Sequence, residues 1–92
     1  MSEMITRQLK IVNEKGLHAR AAAKLVEVAE GFDATAEVSQ NGLSTGADSI
    51  MGLLMLAASK GTTIDVQISG PDAEAMANAV EALIADRFGE DM

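Results

Sequence analysis

Residues 13–25 read NEKGLHARAAAKL. Two kinds of order meet in this stretch. Before it, over residues 4–12, apolar and polar side chains alternate: Ile5, Leu9 and Ile11 fall on one side and Thr6, Gln8 and Lys10 on the other, with Arg7 breaking the apolar row. A period of two predicts a half-buried strand. NEKG interrupts it. From His18 to about Glu30 the apolar spacing turns helical, through Ala22, Leu25, Val26 and Ala29, and Gly31 stands where glycine often ends a helix. The quoted stretch is therefore a strand-to-helix junction, and it carries the only histidine of the chain.

The same two periods recur further on. Ala34, Ala36 and Val38 alternate with Thr35, Glu37 and Ser39 and predict a second strand. Asn41-Gly42 is a strong two-residue hairpin signal, so a short third strand should follow over about Leu43 to Thr45. Gly46-Ala47-Asp48 breaks it, a short helix fits Ser49 to about Ser59, and Lys60-Gly61 should close that helix. Ile64, Val66 and Ile68 mark a fourth strand, stopped by Gly70-Pro71. A last helix begins near Pro71 or Asp72, with Ala75, Met76, Ala79, Val80, Leu83 and Ile84 as its apolar stripe. The tail from Phe88 reads as polar and frayed. The order β-α-β-β-α-β-α predicts an α+β, two-layer open-faced sandwich. Its mainly antiparallel four-stranded sheet would be covered on one face by three helices.

Ninety-two residues suit a single domain over 1–92. Hydrophobic residues make up 48% and include two Phe but no Trp or Tyr, so the core must be aliphatic. The absence of cysteine excludes disulfides, thiolate zinc sites and cysteine nucleophiles. No metal or cofactor site is legible. No signal-like run and no stretch near the roughly 20 apolar residues of a membrane helix is visible, which points to the cytoplasm without membrane insertion. A net charge of −7 argues against nucleic acid. Yet over residues 1–24 Arg7, Lys10, Lys15, Arg20 and Lys24 stand against Glu3 and Glu14 alone. A locally basic region around the one imidazole suggests a small anion handled there.

The physics of a helix start sharpens this. Its first N–H groups lack intrahelical partners and its dipole end is positive. An anion is therefore welcome there, while a second positive charge on the ring is not. Arg20 adds a planar donor fork suited to phosphate, and Gly16 allows close approach of the loop. Transient phosphorylation of His18 fits, since phosphoryl transfer needs mainly positioning and charge stabilisation. No nucleotide-binding loop is present, so the donor would be another protein.

GLHAR leading into a small-residue helix, and later Ser49-Ile50-Met51-Gly52 opening a short one, resemble the histidine-containing phosphocarrier (HPr) family of the phosphoenolpyruvate-dependent phosphotransferase system. The resemblance spans about residues 4–86. It implies that enzyme I phosphorylates His18 at Nδ1 and that a IIA protein or domain receives the group. It also implies that Arg20 stands beside the phosphohistidine, and that Ser49 is the serine modified by an HPr kinase/phosphorylase in many bacteria. Two departures stand out: Ala21 replaces the family's frequent proline, and Asp48 replaces a frequent lysine before the serine.

Ser49 is also a natural N-cap, regulated or not. In SIMGLLMLAAS the apolar residues cover nearly every side. Leu53 and Leu56 suit the sheet side. Met51 and Leu54 would then lie on a more exposed face, with Ile50 and Lys24 adding to a docking patch for partners, unless the small core takes them all in. Gly52 inside this helix implies close packing or a loose helix. The leading expectation is a cytoplasmic, monomeric phosphocarrier, of either a sugar or a nitrogen-related branch. The alternative is a regulatory HPr-like binding module of a nitrogen-related branch, acting mainly through protein contacts. A hydrolase built on His18 would need a second acid, base or metal ligand, and none is evident.

Overall fold

A computed structural model describes residues 3–92. Residues 1 and 2 of the expected domain, and the side chain of Glu3, lie outside what it describes. The elements run β1 (Glu3–Lys10), α1 (Ala19–Glu30), β2 (Thr35–Gln40), β3 (Leu43–Gly46), α2 (Ile50–Leu56), β4 (Thr63–Gly70) and α3 (Ala73–Ala85), then a 3-10 turn over Arg87–Gly89. The sheet order is β1-β4-β2-β3 and every pairing is antiparallel. This is the β-α-β-β-α-β-α sandwich expected from the alternation.

The register explains the dry face. Leu9 lies opposite Ile64, while Val66 is flanked by Arg7 on one side and Val38 on the other. In β4 burial strictly alternates: Ile64, Val66 and Ile68 are buried, and Thr63, Asp65 and Gln67 are exposed. Arg7, the odd residue in the apolar row of β1, reaches out to α3 instead of entering the core. Its guanidinium donates to Glu81 Oε1 at 2.6 Å and to Asn78 Oδ1 at 3.5 Å. Asn41 and Gly42 both take positive φ, 53° and 81°, as a tight hairpin between β2 and β3 demands. Among the described residues no helix is long and apolar enough to cross a membrane.

Three details depart from the sequence reading. First, α2 ends at Leu56, not near Ser59. Ala57 enters the left-handed region (φ 53°) and its N–H closes on Leu54 O at 3.1 Å. Lys60-Gly61 belongs to the following turn, where Gly61 N donates to Ile11 O at 2.8 Å. Second, the buried stripe of α3 is Ala73, Met76, Ala77, Val80 and Ile84; Ala75 is exposed. Third, the tail is not frayed at its start. Phe88 is wholly buried, the largest such side chain in the core.

Candidate functional site

The site begins with a loop held from beneath. Ile11 N donates to Thr62 O at 2.9 Å and Leu17 N to Ala58 O at 2.9 Å, so residues 11–17 lie against the segment between α2 and β4. Gly16 has φ +65°, and a Cβ there would stand 2.5 Å from Ala58 O and 3.0 Å from Ser59 Cα. Only glycine fits this contact between two backbones. Its close approach is thus to residues 58 and 59. Glu14 and Lys60 add an exposed ion pair of 2.8 Å across the same seam; the Lys60 ammonium holds the Glu14 carboxyl below its ordinary range.

This loop delivers His18 to the N-cap of α1. Its backbone is extended (φ −82°, ψ −179°), and its carbonyl accepts from Ala22 N at 2.8 Å. The imidazole caps nothing. It turns toward the tail, where Nε2 meets a carboxylate oxygen of Glu90. Asn13, wholly buried, donates from Nδ2 to Gly16 O at 2.8 Å and to Glu90 Oε1 at 2.9 Å. Turned over, that amide would set its oxygen against two acceptors, so the direction of both bonds is assigned. Asn13 Oδ1 is left buried without a partner among the described residues. The Asn13 amide first, and the His18 ring second, hold the Glu90 carboxyl below its ordinary value.

A carboxylate accepts and does not donate. The hydrogen in the contact therefore belongs to Nε2, which in the neutral form of the ring leaves the lone pair on Nδ1. Among the described residues Nδ1 makes no hydrogen bond. His18 is only partly covered, with a quarter of its side chain exposed.

The remaining predicted residues divide in two. Arg20 is exposed and makes no hydrogen bond among the described residues. It lines a cleft of about 350 Å³ with Lys15, Lys24 and the tail residues Glu90 and Asp91. Lys24 is half-buried, and its Nζ donates to Phe88 O at 2.6 Å, fastening the tail to α1. Its ammonium is thus engaged within the fold rather than held out for a partner.

Ser49, Ile50, Met51 and Leu54 form the second group, on α2. Leu17 and Gly16 contact Ala58 beyond the C-terminal end of this helix, so Ser49 stands at the end away from the histidine loop. Ser49 Oγ accepts from Gly52 N at 3.0 Å as the N-cap. A Cβ on Gly52 would collide with the Thr45 side chain, which settles the packing question in favour of close contact. Leu53 and Leu56 are buried, as expected. Met51 is 70% exposed and Ile50 41%, but Leu54 is half-buried against the core and Met55, at 74%, takes its place on the open face.

Asn13, Phe88 and Glu90 are the site residues that sequence reasoning missed. One signal was available for the tail. A phenylalanine just past an amphipathic helix, in a chain with two aromatics, is too large an apolar group to leave in water. Nothing in sequence marked Asn13 as more than a loop residue.

A family model described as "PTS HPr component phosphorylation site" matches residues 5–86. The chain is 47% identical over 87 residues to the phosphocarrier protein HPr of Cupriavidus necator, covering 95% of this chain and 98% of that protein. It is 43% identical over 86 residues to the phosphocarrier protein NPr of Shewanella violacea, covering 94% of each. Its fold matches a crystal structure of HPr from Thermoanaerobacter tengcongensis at a TM-score of 0.90 and 34% identity, over 96% of this chain and 99% of that one. With element order, junction histidine and sequence similarity in agreement, the chain belongs to the HPr family of phosphotransferase-system phosphocarriers.

Proposed function

We propose that this chain, acting as one monomeric cytoplasmic domain over 1–92, accepts a phosphoryl group on His18 from phosphorylated enzyme I and passes it to a IIA protein or domain. The observation that carries this reading is the partly open imidazole at the start of α1, with its Nδ1 unengaged among the described residues. In the step, the Nδ1 lone pair forms a bond to phosphorus as the donor's bond to phosphorus breaks. The phosphoryl group moves, and the proton on Nε2 stays. The ring then carries positive charge and the phosphoryl oxygens negative charge. Arg20, exposed and without a competing partner among the described residues, supplies a charged donor fork for those oxygens. Passing the group on reverses the same bond changes.

Ser49 is the proposed regulatory position, modified by an HPr kinase/phosphorylase. Its phosphorylation adds about −1.5 to −2 charge at neutral pH, two residues before the exposed Met51. A partner covering that apolar surface would then have to desolvate the new charge. The reading implies weaker association with enzyme I and an intact domain.

Similarity to an NPr protein supports a second reading, in which the same chain serves a nitrogen-related branch or acts chiefly as a regulatory binding module there. The intact His18–Arg20 pair favours a carrier over a module that never holds phosphate. The test is intact-mass measurement after incubation with phosphoenolpyruvate and enzyme I of either branch. The parent should gain one acid-labile phosphoryl group and His18→Ala none, and the faster enzyme I identifies the branch. An unchanged parent mass beside an enzyme I proven active on another carrier would overturn the carrier reading.

A further inference from the structure

The tail contact has a chemical consequence beyond the acceptor role of His18. Glu90 offers two oxygens and both are used: Oε1 accepts from Asn13 Nδ2, and Oε2 meets His18 Nε2. Only 16% of its side chain is exposed. Asn13 is itself buried and directed by Gly16 O, so the Glu90 carboxylate is held on two sides. Phe88, buried two residues earlier, and the bond from Lys24 to Phe88 O fix the backbone that presents it.

We infer that Glu90 is a positioning residue for phosphoryl transfer: through Asn13–Glu90–His18 it keeps the hydrogen on Nε2 and the lone pair on Nδ1. This rests on the carrier reading above. Free imidazole distributes its proton between the two nitrogens, and a chain whose Nδ1 holds the proton has no nucleophile there. A carboxylate behind Nε2 removes that inactive form. It also faces the ring from the side away from the transferred group. The positive charge that develops when Nδ1 bonds to phosphorus therefore meets a fixed negative partner across Nε2–H. Glu90 touches neither donor nor phosphoryl group; it acts through the ring.

Glutamine makes a sharp test. It has one acceptor and one donor where glutamate has two acceptors. If its oxygen serves His18, its amino group faces the Asn13 amino group. If its oxygen serves Asn13, its amino group faces Nε2 and drives the proton to Nδ1. Asn13 is fixed as a donor by Gly16 O, so the first arrangement opposes two donors and the second is favoured; the relay is broken without loss of volume. Alanine at position 90 removes the contact altogether and leaves Phe88 in place.

The experiment is nitrogen-15 NMR of the His18 ring in the full chain, for parent, Glu90→Gln and Glu90→Ala, together with transfer rates from enzyme I charged by phosphoenolpyruvate. The parent ring should be in the Nε2–H form. Both variants should show a larger Nδ1–H population and a maximal transfer rate lower by about tenfold or more, as for other groups that orient a reacting side chain. The enzyme I concentration for half-maximal rate should stay near that of the parent, since the carboxylate faces the ring. Equal ring populations and equal rates in all three proteins would overturn the proposal, as would a parent ring already in the Nδ1–H form. Should the parent accept no phosphoryl group from an active enzyme I, the carrier reading fails by itself, and the NMR comparison still decides whether Glu90 sets the tautomer.

Discussion

Arg20 projects from the first turn of α1 into solvent and makes no hydrogen bond among the described residues, so its removal takes away charge and almost no packing. Arg20→Ala should change unfolding free energy by no more than about 0.5 kcal/mol. The same substitution should slow transfer from enzyme I by about a hundredfold, the scale for losing one preorganised donor to developing charge. Stopped-flow transfer rates beside a denaturant melt separate the two effects; an equal rate would reduce Arg20 to a surface cation. At this scale the sequence was legible where chemistry is local. His18 and Arg20 lie two residues apart, and the helix start that gives them meaning lies between them. Glu90 and Asn13 were not legible, because their partners lie 72 and 77 residues away and no local pattern marks a contact across such a span.

Helix α2 divides its apolar residues by packing against two different layers. Leu53 and Leu56 go inward, Leu54 lies at the boundary, and Met51 and Met55 remain outside. If this surface docks partners, Met51→Glu should raise the carrier concentration needed for half-maximal transfer by about tenfold, because a carboxylate must be desolvated at the interface. Met51 is 70% exposed, so the melt should stay close to that of the parent. Concentration-dependent transfer assays check this, and an unaltered half-saturation point would remove Met51 from the interface. Leu54→Glu is a poorer probe, since a half-buried side chain mixes folding with docking. Periodicity foretold the inward pair of α2 but not its end. An alanine rarely adopts φ 53°, so the residue type at position 57 gives no sign that the helix ends there.

Across the whole molecule, one buried ring anchors the tail beside the histidine loop. Arg87 and Phe88 both take left-handed φ, 55° and 54°, which is unfavourable for side-chain-bearing residues, and burial of Phe88 holds them there. Phe88→Ala should cost about 3–5 kcal/mol of stability, a large share of the roughly 5–15 kcal/mol typical of a domain. It should also release Glu90 from His18, giving the ring the same altered proton distribution as Glu90→Ala. Urea unfolding and the nitrogen-15 spectrum test the two halves of that statement; a loss below about 1 kcal/mol would show that the ring is not a core member. The layer architecture was readable because each strand alternates on its own. For the tail, Phe88 alone signalled burial; where it docks, and that it brings Glu90 to His18, depends on contacts across the whole chain that no local pattern marks. Strand order carries a different consequence. Among the described residues β1 pairs only with β4, and even the nearest partners are Lys10 and Thr63. A ribosome must therefore translate most of the chain before its first strand finds a neighbour. Until then that segment waits as an unpaired apolar edge, and closing so long a loop makes folding a matter of milliseconds or slower, on the order expected for non-local topologies. The interval is when this small protein is most exposed to association with other nascent chains, and fusing β1 after β4 by circular permutation would shorten it.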